Sequence, residues 1–188
     1  MNDSRPPARA LDAVTSALLI VDIQERLAPA TDDPEPVVRN AGILLRAAAR
    51  LEIPVLVSEQ YPRGLGPTVP EIAGLVAPEA IVDKLHFSCV RDVGWAERFA
   101  ATGREAAVVA GMEAHVCVLQ TVLGLLDQGV ACAVVADAVT SRTPLNRDLA
   151  LDRMARAGAL VVSTEMVVFE WLGVAGTDEF RELSALIR

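Results

Sequence analysis

Short apolar runs alternate along the chain with longer stretches in which apolar residues recur at helical spacing. The runs at residues 17–21, 54–58, 80–83, 106–110, 131–136 and 160–162 read as buried strands. Between them the pattern predicts helices. One is capped by Asp32 or Asp33 and runs to about Leu51, with Val38, Ala41, Leu45 and Ala48 on one stripe. Others span Asp92 to Thr102, closed by Gly103, and about 116–128, closed by Gly129. Thr143 and Pro144 open a helix that stops at Gly158, following the preference for proline first and glycine last. Thr164 caps the next. Thr177 caps the last, whose apolar face is Phe180, Leu183, Leu186 and Ile187. Residues 59–79, with several Pro and Gly, read as a long loop.

Buried strands alternating with helices predict a parallel sheet covered on both faces. The expected architecture is a three-layer α/β/α domain over residues 11–188, with residues 1–10 as a loose tail. Its six-stranded parallel sheet is Rossmann-like. In such sheets ligands bind beyond the carboxyl ends of the strands, where the strand order reverses. An order of 3-2-1-4-5-6 makes the first and fourth strands neighbours at that point.

Composition narrows the functional classes. The chain of 188 residues is 52% hydrophobic, enough for a sizeable core. A formal net charge of -8 argues against a nucleic-acid partner. No apolar run is long enough to span a membrane, and 17–21 is too short for the core of a signal peptide. Cys89, Cys117 and Cys132 have no paired spacing and leave one over, as expected in a reducing cytoplasmic compartment.

Three residues stand out chemically. Cys117 follows the fourth strand at or beside a helix start, where free N–H groups and the helix dipole favour a thiolate. A buried cysteine is also a common inert core residue. Asp22 ends the first strand in an apolar context, where a carboxylate is costly unless paired; a bond to a nearby loop backbone would also account for it. Lys84 ends the third strand in the same way, and a solvated lysine is its ordinary alternative. His86 and His115 are the only histidines, too few for a usual zinc site, so neither a metal nor a cofactor is expected. Neither a Gly-x-Ser-x-Gly elbow nor a Gly-Lys-Ser/Thr phosphate loop is present.

The segments Leu19-Ile20-Val21-Asp22-Ile23-Gln24, Asp83-Lys84 with Phe87-Ser88, and Gly111-Met112-Glu113-Ala114-His115-Val116-Cys117-Val118 occur in that order. Together they resemble the three signatures of the isochorismatase-like cysteine hydrolases, across roughly residues 14–188. Residues 58–71 are similar to the small stand-alone isochorismatase-domain-containing proteins. The resemblance implies a catalytic triad of Asp22, Lys84 and Cys117. It also implies a cis Met112–Glu113 peptide, with the Glu113 and Cys117 N–H groups forming an oxyanion hole. Where the nicotinamidase branch has an Asp-x-His metal motif, this chain has Glu59-Gln60-Tyr61.

The resulting expectation is a cytoplasmic hydrolase that cleaves a C–N bond of a small amide through a thioester. Tyr61, Arg63, Phe87 and His115 are its candidate substrate contacts. Self-association is expected from the resemblance; the apolar face of the last helix offers a second hint, though covering its own sheet is an equally good use for that face. Three rivals are vinyl ether hydrolysis of the isochorismatase type, a non-catalytic interaction module on the same fold, and redox chemistry at Cys117.

Overall fold

The computed structural model describes residues 10–187, so the expected tail lies outside the described residues except for Ala10, which is exposed. The strands are β1 (Ser16–Val21), β2 (Val55–Gln60), β3 (Ile81–Lys84), β4 (Ala106–Met112), β5 (Ala131–Thr140) and β6 (Leu160–Val162). They form one six-stranded parallel sheet in the order β3-β2-β1-β4-β5-β6. This is the predicted order, with β1 and β4 side by side at the reversal.

Strand alternation sorts the core into two layers. On one face Leu18, Ile20, Val57, Val108 and Ala110 pack under α1 (Pro34–Arg50) and, toward the end of the chain, α7 (Thr164–Leu172) and α8 (Asp178–Ser184). On the other, Ala17, Leu19, Val21, Leu56 and Val109 meet α4 (Val93–Ala101), α5 (Leu119–Asp127) and α6 (Pro144–Arg156). Both faces of β1 are fully buried, which is why its sequence is a continuous apolar run.

The structure departs from the sequence reading at strand ends and in the loops. β2, β4 and β5 all run further than expected. β5 continues through Asp137 because the fold satisfies that residue. Its Oδ1 accepts from the Thr164 N–H at 2.8 Å and hydroxyl at 2.9 Å, and its carbonyl from Asn40 Nδ2 at 2.6 Å. The loop at 59–79 contains two helical turns, α2 (Pro62–Leu65) and α3 (Pro70–Ala73). Thr143 and Thr177 cap as predicted. Ser163, not Thr164, caps α7, because Thr164 is already committed to Asp137. Asp33 precedes α1 without a side-chain capping bond.

The last helix spends its apolar face inside the chain. Leu183 is buried, Leu186 and Ile187 pack on the core, and the Phe180 ring meets Phe169 with centroids 6.3 Å apart. Of the two uses open to this face, the structure shows the second: it covers the protein's own sheet.

Candidate active site

The carboxyl ends of β1, β2, β3 and β4 place Asp22, Ser58, Gln60, Lys84 and the turn leading to Cys117 at one edge of the sheet. Asp22 is the first residue beyond β1. Alternation alone would send its side chain to the α1 face with Leu18 and Ile20. Its backbone instead turns left-handed, with φ 52°, a conformation that Asp tolerates better than most residues. The carboxylate thereby joins residues of the opposite face. Gly111 allows β1 and β4 to close at this point. A Cβ there would lie 2.1 Å from the Val21 carbonyl oxygen, and its φ is 135°.

Asp22 and Lys84 form a fully buried ion pair, with Nζ 2.7 Å from Oδ2 and no exposure of either side chain. Two strand spacings, roughly 10 Å, separate their backbones. The two side chains cover that gap between them. The other carboxylate oxygen, Oδ1, accepts from the Ser58 hydroxyl at 2.7 Å. The ammonium also donates to Gln60 Oε1 at 2.8 Å and, more weakly, to the carbonyls of Phe87 at 3.3 Å and His86 at 3.4 Å. Every donor of Lys84 therefore has an acceptor.

Cys117 lies in a π-helical turn, Ala114–Val118, that runs directly into α5. Its thiol faces the Asp22–Lys84 pair closely enough to perturb the ionisation of both. Burial raises the Asp22 pKa, against the lowering effects of Lys84, Cys117 and Ser58. Burial opposes the charge on Lys84, but the neighbouring Asp22, Cys89 and Cys117 outweigh it and the ammonium is retained. Burial, then the adjacent Asp22 charge, push the Cys117 thiol up despite Lys84. This corrects the expectation of a thiolate favoured by the helix start. Cys117 is only 4% exposed, and desolvation outweighs a dipole effect of under about 2 kcal/mol. The resting site is thus a protonated thiol beside a carboxylate of enhanced basicity.

The other predicted residues are distributed around this centre. The Met112–Glu113 peptide is cis. The Glu113 carboxylate is nearly buried and paired with Arg142, Nε to Oε1 at 2.6 Å. His115 Nδ1 lies 3.0 Å from Ser141 Oγ. Tyr61 is exposed, but its N–H donates to the Lys84 carbonyl at 2.9 Å. Phe87 is exposed in the turn whose carbonyl receives Lys84. Arg63 sits exposed on α2, with no hydrogen bond to the centre. Among the described residues no cluster of three His, Cys, Asp or Glu side chains is placed to hold a metal ion. A cavity of about 630 Å³, lined by Asp32, Asn40, Asp137 and Thr164 among others, opens beside α1 and includes none of the three central residues. Among the described residues, the Asp22–Lys84 pair is the ion pair with both side chains wholly out of water.

Several residues escape a reading of the sequence. Ser58 and Gln60 hide in a run read as strand and loop, and only period-2 alternation on β2 marks them as facing one way. Gln24 binds the end of β2 through Gln60 N–H at 2.8 Å and holds Gly66 O at 2.7 Å. Glu59 accepts from the Thr68 N–H at 2.6 Å, so the first half of the long loop is pinned. Cys89, which no motif marks, also borders the cluster: its Sγ is 3.6 Å from Ser58 Oγ. Cys132 is buried in β5 with its thiol pushed up by burial to about 12, as befits a core residue.

The chain resembles known proteins over nearly its whole length. The family model for the isochorismatase domain matches residues 16–166. The chain is 39% identical to the secreted isochorismatase effector Isc1 of Phytophthora sojae over 180 residues, covering 93% of this chain and 85% of that one. It is 36% identical to isochorismatase domain-containing protein 2 of Pongo abelii over 189 residues, covering 100% and 90%. Among solved structures, MAR1 ribonuclease of Caenorhabditis elegans superposes with a TM-score of 0.89 at 35% identity, over 95% of this chain and 92% of that one. YcaC of Pseudomonas aeruginosa, solved with hexane-2,5-diol and covalent acrylamide, gives 0.89 at 27% identity, over 95% and 92%. YcaC of Escherichia coli, an octameric hydrolase of unknown specificity, gives 0.90 at 25%, over 96% and 91%. A shared fold, a family model spanning most of the chain and relatives of this identity place the protein in the isochorismatase family of hydrolase folds.

Proposed function

We propose that this protein is a cysteine hydrolase that cleaves a C–N bond in a small amide or amide-like substrate. The observation that supports it best is the Cys117 thiol set against the buried Asp22–Lys84 pair. As the substrate carbonyl carbon approaches Sγ, Asp22 takes the thiol proton and the C–S bond forms. The carbonyl electron pair moves onto oxygen, where the N–H groups of Glu113 and Cys117 act as an oxyanion hole, at roughly 3 kcal/mol per donor. The carbonyl re-forms, the C–N bond breaks, and the departing nitrogen takes the proton from Asp22. Water then attacks the thioester, passing its proton to Asp22, and the carboxylic acid leaves as the thiol is restored. Lys84 keeps Asp22 ionised between these transfers. Tyr61, Phe87 and His115, around the centre, are the candidate substrate contacts, with Arg63 further out.

The covalent acrylamide on a YcaC relative is consistent with a reactive nucleophile on this fold. Vinyl ether hydrolysis is the second reading. It draws on the raised Asp22 pKa, which suits a carboxyl group that donates a proton to carbon. RNA is disfavoured as a substrate by the net charge of -8, which repels a phosphate backbone. We place the protein in the cytoplasm on its three free cysteines, and as a homo-oligomer by analogy with the octameric relative. Among the described residues no helix is long and apolar enough to cross a membrane.

The test is a screen of small amides for ammonia or amine release, with a vinyl ether and a single-stranded RNA in the same panel. Wild type should turn over an amide and accumulate an acid-stable mass adduct on Cys117, and Cys117→Ala should do neither. Full amide hydrolysis by Cys117→Ala would exclude the covalent route. Light scattering at micromolar concentration tests the oligomer, and a monomer would refute it.

A further inference from the structure

β2 runs between the two strands that carry Asp22 and Lys84, and its carboxyl end presents two polar side chains to that pair. Ser58 and Gln60 are two residues apart, so they face the same side of the sheet. Both are buried, at 1% and 8% exposure. Ser58 Oγ donates to Asp22 Oδ1 at 2.7 Å, while Gln60 Oε1 accepts from Lys84 Nζ at 2.8 Å. Each is itself oriented from behind. The Cys89 thiol donates to Ser58 Oγ at 3.6 Å, and Gln60 Nε2 donates to the Leu85 carbonyl at 2.9 Å. Gln24 clasps the Gln60 backbone on both its N–H, at 2.8 Å, and its carbonyl, at 3.1 Å.

We propose that Ser58 and Gln60 are positioning residues that set the two flanks of the working pH range, Ser58 by holding Asp22 ionised and Gln60 by holding Lys84 protonated. The proposal rests on the cysteine-hydrolase reading for its consequence, but its geometry is independent of substrate. The groups that face Asp22 are Lys84 from β3, Ser58 from β2, Cys117 from the turn before α5 and Cys89 from the 3-10 turn Cys89–Arg91. Those that face Lys84 are Asp22, Gln60, the two thiols, and the carbonyls of His86 and Phe87. A hydroxyl donating to a carboxylate favours the charged form, and so does an amide oxygen accepting from an ammonium. Removing either one moves a single flank, in opposite directions.

The experiment follows the alkylation of Cys117 by acrylamide as a function of pH, read by intact mass and assigned to Cys117 by peptide mapping, so that no substrate is needed. Ser58→Ala should move the acid flank up by about one pH unit, as expected for one lost bond to a charged group. Ser58→Thr, which keeps the hydroxyl, should restore it. Gln60→Met should move the alkaline flank down by a similar amount and leave the acid flank in place. A purely structural role would instead lower melting temperature or overall rate with both flanks unmoved, and that outcome overturns the proposal. If Ser58→Ala does not fold, Gln60→Met decides alone. Failure of the hydrolase reading is scored separately, by retained amide hydrolysis in Cys117→Ala, and leaves the flank measurement intact.

Discussion

Replacing Lys84 by methionine is the sharpest single perturbation of this molecule. Methionine matches the length of the lysine stem and fills the same buried space. What it removes is the partner of a carboxylate that has no solvent exposure. Breaking a buried ion pair from one side costs about 3–5 kcal/mol. Against a total stability of roughly 5–15 kcal/mol that is a large fraction. For a chain of this size it corresponds to a fall of about 6–20 °C in melting temperature, at roughly 2–4 °C per kcal/mol.

The pH dependence identifies the cause. In the wild type burial raises the folded-state pKa of Asp22, while Lys84 works to lower it. Without Lys84 it rises further. The folded state then binds a proton that the unfolded state releases, so stability falls as pH rises from the unfolded value through the folded one. The penalty of Lys84→Met should therefore be full above the raised pKa. Below that pKa it should shrink by about 1.4 kcal/mol for every pH step of one, down to the wild-type folded value, below which both proteins hold the proton and the penalty levels off. Urea unfolding at about pH 5, 6, 7 and 8 measures this directly. The double variant Lys84→Met with Asp22→Asn removes the orphaned charge and should recover most of the loss. A penalty below about 1 kcal/mol, or one equal at every pH, would refute the reasoning, because neither is compatible with an unpaired buried carboxylate.

Other outcomes follow from the same geometry. Cys117→Ala and Asp22→Asn should each abolish amide hydrolysis, and the double variant should lose no more than either alone, since nucleophile and base act as one unit; additive losses in kcat/KM would separate them. Gly111→Ala should destabilise by more than about 3 kcal/mol or abolish folding, because its Cβ would sit 2.1 Å from the Val21 carbonyl; an unchanged Tm would contradict the close approach of β1 and β4. Cys89 and Cys132 should react slowly with an aromatic disulfide at neutral pH in the native protein and promptly in denaturant, since burial raises them to about 11 and about 12. Rapid native labelling of either would contradict that burial. Cys132→Ala should keep full activity, as Cys132 lies in β5 away from the reacting groups.

Much of the architecture is legible in the chain because burial on both sheet faces leaves a local mark. A run such as Ala17 to Val21 has no polar side to offer, so it reads as a central parallel strand without any knowledge of its neighbours. The Pro-first helix at Thr143 and the capped helix at Thr177 are likewise written in adjacent residues. Asp22, Lys84 and Cys117 can be picked out because each sets a polar or reactive group at the end of an apolar run.

What adjacent residues do not encode is how such ends meet. The face that Asp22 presents depends on one left-handed backbone turn, and Lys84 reaches it only because β3 stands two places from β1 in register. Ser58, Gln60 and Cys89 carry no local signal, since a serine in a strand or a cysteine after one is ordinary until its neighbour is a buried carboxylate. The ionisation of Cys117 defeats a local reading for the same reason. A helix start is visible in sequence and acts over one turn, whereas desolvation is summed over everything that packs around the thiol. The last helix shows the converse: its amphipathic face is evident from residues 180–187, but whether it covers the chain's own sheet or a second copy is decided by where the fold brings it. Local patterning specifies elements because it acts between residues a few positions apart. Site geometry and pKa arise from contacts between distant segments, and only the folded chain sets those.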